Sequence, residues 1–524
     1  METPLTPLEF MRRARRLYAG REAVVDGALR LTYAEFFARC DRWSAALQGL
    51  GVGQGDRVAY IAPNTHAMLE GFYAVPQIGA VLVPINYRLT ADDFAYIIGH
   101  SGATVVCVHD DYLPLVDKIR VKVPDVRHFV ALEGAGDGWL DYEATLAAAS
   151  PNFTPAEIGE NDLITINYTS GTTSRPKGVM TTHRNTYMNS VGTMIHVHLS
   201  PADRYLWTLP MFHVNGWTFV WTMTAVGGTH ICLRKVDPIP VYGLIAEERV
   251  TILCAAPTVL IGLANGPAEA RAAVPGGVRV LTAGAPPAAA TIARVEGELG
   301  WVITHVYGLT ETAPLILVCE PRPEHAEGSG EERARLKARQ GVELITSGEL
   351  RVVDENDQEV PHDGATVGEI VVRGNVVMAG YYNDPEATAT AMRGGWFHTG
   401  DAAIVHPDGY AEIRDRLKDV IISGGENISS VEVEGTLLGH PAVQEAAVVG
   451  LPDERWGESP HAFIIRQPGV AAVTEEELRQ FTRDRLAHFK VPQRFHFVDE
   501  LPKTATGKIQ KFVLRGRQAG IARQ

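Results

Sequence analysis

Cysteine is scarce in this 524-residue chain: five residues, Cys40, Cys107, Cys232, Cys254 and Cys319, are widely scattered and odd in number. None form a Cys-x-x-Cys pair, which excludes a disulfide framework and a zinc knuckle and fits a reducing cytoplasm. No apolar run is long enough for a signal peptide or an integral membrane segment. The charged stretch from Arg12 to Arg16 reads as a leading helix of the first domain. The final residues, Ile521 to Gln524, match no retention, peroxisomal or prenylation address. Basic charge is also in deficit, with 48 Lys and Arg against 62 Asp and Glu and a formal balance of −14. Such a surface repels nucleic acid and anionic lipid, so no nucleic-acid partner is expected and a polyanionic ligand needs a local basic pocket. Common catalytic fingerprints are missing too. There is no Gly-x-Gly-x-x-Gly opening a dinucleotide fold, no His-Glu-x-x-His and no Gly-x-Ser-x-Gly.

What is present is ordinary globular composition, 45% hydrophobic and 21% charged, in a chain longer than one core usually serves. Apolar, β-rich runs at Arg57 to Ile61, Val81 to Ile85, Thr104 to Val108, Leu163 to Tyr168, Thr251 to Ala255 and Val278 to Thr282 alternate with helical stretches. That pattern predicts parallel α/β layers with strands covered on both faces. From Gly348 to Arg416 the strands crowd together with turns between them, which predicts antiparallel structure, a small barrel or distorted sheet. Beyond Arg416 the pattern is mixed again, with strands at Ala446 to Val449, Ala462 to Ile465 and Phe495 to Val498 and a helix from Glu475 to Leu486. A boundary is placed near Lys418. The charged segment from Pro321 to Gln340 reads as an exposed loop and partial helix.

Directly after the strand ending at Tyr168 comes YTSGTTSRPKGVM, from Tyr168 to Met180. Small side chains let backbone N–H groups approach an anion, hydroxyls add donors and Lys177 supplies a point charge, so the loop suits phosphates. It is not a Walker loop, because Pro176 precedes Lys177 and Gly178 follows it. The loop resembles the signature of the adenylate-forming superfamily, which includes acyl-CoA synthetases, aryl-CoA ligases, luciferases and peptide-synthetase adenylation domains. Four more segments match in the family's order: TAGAPP (Thr282 to Pro287), HVYGLTETAP (His305 to Pro314), WFHTGD with RDRLKD (Trp396 to Asp401 and Arg414 to Asp419), and LPKTATGKIQK (Leu501 to Lys511).

The resemblance implies a large N-terminal domain, residues 1–416, of two doubly wound α/β subdomains plus a small β-barrel. A small mobile α+β C-terminal domain, 417–524, follows a hinge at Lys418. It implies an ATP-dependent acid:CoA ligase using ATP, Mg²⁺ and CoA. A carboxylate is a poor electrophile, and attack on the α-phosphorus of ATP with loss of pyrophosphate activates it, provided the enzyme aligns two anions and neutralises charge between them. By resemblance Thr169, Ser170, Gly171, Thr172, Thr173 and Lys177 cradle phosphate. Gly284, Ala285, Pro286, Tyr307 and Gly308 border adenine, and Asp401 and Arg416 bind ribose. Glu311 takes Mg²⁺, assisted by Thr172. Thr310 lies near the α-phosphate and Lys508 is the catalytic lysine.

His213, in LPMFHVNGWTFV, matches the histidine that borders the acyl site, with Val214, Trp217, Gly284 and Gly308 as the other pocket positions. No Asp or Glu in that stretch pairs with an α-amino group, so amino acids are disfavoured. Trp217 and Trp221 either shorten the acyl tunnel or pack in the core; the first reading implies short- or medium-chain, or compact aromatic, acids. Gly424 and Gly425 belong to the loop that relatives turn towards the pantetheine tunnel. Arg234, Lys235 and Lys511 are candidates for the CoA phosphates. Asp415, where amino-acid-adenylating relatives carry glycine, tilts the resemblance to the acyl-CoA branch. A homodimer is compatible with this reading. Two rival readings are an adenylating enzyme that loads a separate carrier protein and a non-catalytic nucleotide sensor.

Overall fold

The structure is a computed structural model, and it describes residues 1–134, 136–169, 175–470, 473–504 and 508–521. Two large sheets dominate the N-terminal part. One has nine strands in the spatial order Val342–Glu343, Leu315–Val318, Val302–Gly308, Arg279–Thr282, Ile252–Ala255, Arg204–Leu206, Thr229–Ile231, Glu22–Asp26 and Leu29–Thr32. The other has eight: Gly380–Tyr381, Lys177–Thr182, Leu163–Thr169, Val81–Ile85, Arg57–Ile61, Ala103–Val108, His128–Ala131 and Leu140–Asp141. Central pairings are parallel and antiparallel strands flank them, as helices on both faces require. Helix Tyr33–Gly49 shows how these layers close. Thr32 and Glu35 cap its first turn reciprocally, and Tyr33, Phe36, Phe37, Cys40, Trp43 and Leu47 form its buried stripe, the i, i+3, i+4 spacing of a helix laid on a core.

A four-stranded antiparallel sheet, Glu349–Val353, Gly368–Arg373, Phe397–Val405 and Ala411–Arg416, stands where the small barrel was expected. The chain then crosses Leu417 to Val420 into a small C-terminal α+β domain built on a five-stranded sheet. Its central hairpin, Val443–Asp453 with Gly457–Arg466, is far longer than the two short strands the apolar runs suggested. Alternation explains the extension. Ala446, Val448, Ala462 and Ile464 pack on one face with Val433 and Leu437, while Ala447, Val449, Leu451 and Phe463 pack on the other with Leu501 and Leu514. The second face is covered by helix Lys511–Ile521, which the sequence reading missed. Helix Glu475–Arg483 stops short of Leu486 because the amides of Arg485 and Leu486 converge on one carbonyl, that of Thr482, at 3.1 and 2.9 Å.

Candidate active site

The TAGAPP and HVYGLTETAP segments leave the carboxyl ends of the adjacent parallel strands Arg279–Thr282 and Val302–Gly308, the edge where open α/β sheets bind ligands. They open on a cavity of about 1060 Å³ between the N-terminal body and the C-terminal domain, lined by Gly284, Ala285, Pro286, Tyr307, Gly308, Asp401, Arg416 and Lys508 among others. Antiparallel pairing sets Asp401 directly opposite Arg416. The Arg416 Nε lies 2.6 Å from Asp401 Oδ1, and the Tyr307 phenol donates to Asp401 Oδ2 at 2.6 Å. Burial and the Asp401 carboxylate push the Tyr307 hydroxyl well up, so it stays a donor. Burial pulls against the Arg416 charge, but Asp401, Tyr307 and Glu311 outweigh it and raise its pKa. Two glycines are needed for this geometry. Gly400 turns into Asp401 at φ 72°, and a Cβ on Gly308 would lie 1.8 Å from the Pro314 carbonyl oxygen, a close approach only glycine allows.

Thr310 and Glu311 sit in the short 3₁₀ turn Thr310–Thr312. The Tyr381 phenol donates to Glu311 Oε1 at 2.9 Å. The Lys177 ammonium lies 4.8 Å from the centre of the Tyr381 ring and 3.6 Å from Asp384 Oδ2. Thr169 pairs with Lys177 across the strands that bound the phosphate loop; Ser170, Gly171, Thr172 and Thr173 lie outside the described residues. Among those described, no group of three or more His, Cys, Asp or Glu could hold a metal. A lone carboxylate of this kind suits Mg²⁺, which keeps waters and takes phosphate oxygens beside one protein oxygen.

From the other side Lys508 faces the cavity, its amide donating to Thr504 Oγ1 at 3.1 Å. Thr506 and Gly507 lie outside the described residues. Desolvation, then the Arg416 charge, pushes the Lys508 ammonium down to about 8, with Asp401 opposing; the side chain keeps solvent access through the cavity. His213 is pushed down to about 4 by burial and by the Lys508 charge, which leaves the imidazole neutral at pH 7. His213 opens a run of left-handed backbone, Val214, Asn215, Gly216, Trp217 and Thr218, with φ of 34, 46, 54, 51 and 67°. The Asn215 side chain anchors this turn in a buried polar cycle with Thr165 and Asn167 on the strand leading into the phosphate loop. The sequence reading missed this anchor; the Asn-Gly pair, tolerant of left-handed backbone, was its signal. Trp217 is buried beside this turn. Trp221 instead packs edge-on against Phe72 and Tyr73, so it belongs to the core rather than to a tunnel.

The remaining positions divide. Lys418 is exposed in the connection between the domains, its pKa lowered by desolvation. Asp415, just before the connection, accepts from the Ser430 amide at 2.8 Å and from its hydroxyl. Gly424 and Gly425 are exposed at the tip of the hairpin Ile421–Ser423 and Glu426–Ile428, away from the cavity lining. Two phosphate candidates are already committed. Lys511, at the cavity wall, is half-buried against Glu434 and Ser430, and Arg234 pairs with Asp26 and Glu133 at 2.6 Å each.

Residues 10–382 match the family model described as AMP-binding enzyme, and 432–508 match the AMP-binding enzyme C-terminal domain. The chain belongs to this adenylate-forming family. Over 98% of its length it is 45% identical to a probable CoA ligase of Humulus lupulus, covering 94% of that protein. It is 44% identical to a 4-hydroxybutyrate–CoA ligase of Metallosphaera sedula and 40% to a peroxisomal trans-cinnamate:CoA ligase of Petunia hybrida, each over 98% of this chain and 94% of the relative. An anthranilate CoA ligase in complex with anthranoyl-AMP superposes with a TM-score of 0.88 at 26% identity over 99% of both chains. ATP-bound MatB from Rhodopseudomonas palustris superposes at 0.86 and 28% identity over 99% of this chain and 100% of its own, whereas apo MatB, over 98% and 99%, superposes at 0.76.

Proposed function

We infer that this ligase activates a short- or medium-chain, or compact aromatic, carboxylic acid in the cleft between its domains. The reaction is ATP-dependent acid:CoA ligation: carboxylate and ATP give acyl-AMP and pyrophosphate, and CoA then displaces AMP to give acyl-CoA. The observation that carries the site assignment is convergence. Tyr307, Asp401 and Arg416 come from the N-terminal body and Lys508 from the C-terminal domain, and all four line one cavity, with the charge of Glu311 acting on Arg416.

In this reading Asp401 accepts the ribose hydroxyls while Tyr307 and Arg416 fix its orientation, and Gly284 to Pro286 and Tyr307 border the adenine. Lys508 brings its ammonium to the oxygens of the reacting carboxylate and α-phosphate, where it stabilises charge as the P–O bond to pyrophosphate breaks. Lys177 and Thr310 hold phosphate. Mg²⁺, when bound at Glu311, neutralises phosphate charge and favours departure of pyrophosphate. Neutral His213 borders the acyl carbon without adding a cation. Gly424 and Gly425 serve the pantetheine arm after the C-terminal domain, 417–524, turns about Lys418.

The acid class rests on Trp217, buried beside the left-handed turn that His213 opens, and the named relatives act on acids as small as 4-hydroxybutyrate and as compact as cinnamate. Free, buried cysteines favour the cytoplasm; no described helix is long and apolar enough to cross a membrane. The test is pyrophosphate release across a panel of acids, with and without CoA. Best turnover on short or compact acids, with thioester formed only when CoA is supplied, is the expected result. Preference for long fatty acids refutes the acid class. A Trp217→Ala variant with an unchanged length profile removes Trp217 from the pocket. Adenylate without any thioester favours loading of a carrier protein.

A further inference from the structure

Tyr381 touches both ends of the charge-neutralising machinery proposed above, yet no motif reading singled it out. Its hydroxyl donates to Glu311 Oε1 at 2.9 Å, and its ring carries the Lys177 ammonium at 4.8 Å. Its backbone leaves it little freedom. The strand Gly380–Tyr381 pairs with the strand that begins at Lys177, Tyr381 lying opposite Val179. The Tyr382 amide donates to the Gly178 carbonyl at 2.7 Å and the Met378 amide to the Glu311 carbonyl at 2.8 Å, while Thr388 Oγ1 accepts from the Tyr381 amide at 2.9 Å. Segment 378–382 is therefore laced to the exit of the phosphate loop on one side and to the Glu311 turn on the other.

We propose that Tyr381 is a positioning residue that sets the spacing between the metal-binding carboxylate Glu311 and the phosphate-binding ammonium Lys177. This rests on the reading of Glu311 and Lys177 given above. The physical argument is division of labour within one side chain. A carboxylate accepts about four hydrogen bonds, so one bond from the phenol orients Glu311 and still leaves lone pairs for a hard cation. The ring face attracts Lys177 through its quadrupole, holding the ammonium near the loop while Asp384 fixes it from the side. The phenol therefore serves the metal and the ring serves the lysine. Removing a hydrogen-bond partner of a metal ligand commonly weakens metal affinity about 10–100-fold.

Direct binding of ATP, with and without Mg²⁺, to the full-length protein separates the two roles without reading catalysis. Tyr381→Phe keeps the ring and deletes the hydroxyl. It is expected to leave metal-free ATP affinity near wild type and to cut the tightening produced by Mg²⁺ about tenfold. Tyr381→Leu removes both and is expected to weaken metal-free ATP binding as well. A Tyr381→Phe protein that melts like wild type and keeps the full Mg²⁺ enhancement overturns the proposal, as does a Tyr381→Leu protein that binds metal-free ATP as wild type does. Glu311→Gln, run in parallel, identifies the alternative failure. If that variant retains the enhancement, the assignment of Glu311 is wrong and the role of Tyr381 falls with it.

Discussion

At one end of the C-terminal domain Lys508 reaches into the cavity beside Asp401 and Arg416, while at the other Gly424 and Gly425 face solvent with Trp456 beside them. In this arrangement Lys508 lines the cavity and the Gly424–Gly425 tip does not. In the proposed mechanism the arrangement is that of the first half-reaction, and the thiol-binding end waits for a rotation. Over nearly equal coverage ATP-bound MatB superposes on this chain at 0.86 and apo MatB at 0.76. Asp415 stands on the body side of the connection and Ser430 on the domain side, so the proposed rotation about Lys418 would break their hydrogen bonds.

The largest effect should come from the engaged end. Lys508→Ala removes a cation that the C-terminal domain brings beside Arg416, and adenylation measured by pyrophosphate release should fall about 10²–10³-fold. Thioester formation from supplied acyl-AMP should persist, because that step does not draw on this charge. Equal loss in both half-reactions would show that Lys508 supports the fold rather than adenylation. Next in size is the pivot. Lys418→Pro fixes φ near −65° where the chain has to swing, so transfer to CoA should drop about tenfold or more while pyrophosphate release in a single turnover stays near wild type. Unchanged overall turnover would move the pivot elsewhere.

The contrast between the two ends also marks what the sequence could disclose. Asp401, Arg416 and Lys508 were legible because each sits in a short contiguous motif whose chemistry suits a nucleotide. The parallel layers were legible because strands buried on both faces read as unbroken apolar runs. Tyr381, Asp384 and Asn215 were not, because their partners Glu311, Lys177 and Thr165 lie 70, 207 and 50 residues away along the chain; the Asn-Gly pair at Asn215 signals the turn but not its partner. The carboxylate partners of Lys511 and Arg234, Glu434 and Asp26, are likewise distant along the chain. The helix Lys511–Ile521 was hidden because two glycines, Gly516 and Gly520, interrupt its pattern and only Leu514 is deeply buried among its described side chains.

A smaller effect concerns protonation at the engaged end. In the proposed mechanism Lys508 acts as the ammonium, and desolvation with the Arg416 charge holds it at about 8 in the free enzyme. The charged form predominates below that value and is lost as pH rises through it. The kcat/KM for ATP in the adenylation step should therefore be level below about pH 8 and fall above it, approaching tenfold per pH unit. Lys508→Arg keeps its charge past pH 12, so its lower activity should lose this alkaline limb. A limb that survives in the arginine variant belongs to another group.

The smallest effect tests the waiting end. Gly424 adopts φ 59°, and a Cβ there would lie 2.8 Å from the Trp456 ring, so alanine pays for left-handed backbone and displaces the indole. Left-handed backbone alone costs about 1–2 kcal/mol, enough to disfavour the native loop about fivefold or more. Because this loop lies outside the cavity lining, Gly424→Ala should leave the KM for ATP and the acid in pyrophosphate release unchanged, and should slow transfer to CoA about fivefold. If adenylation fell instead, the hairpin would already be engaged with the body in the first half-reaction, and the two ends would not alternate.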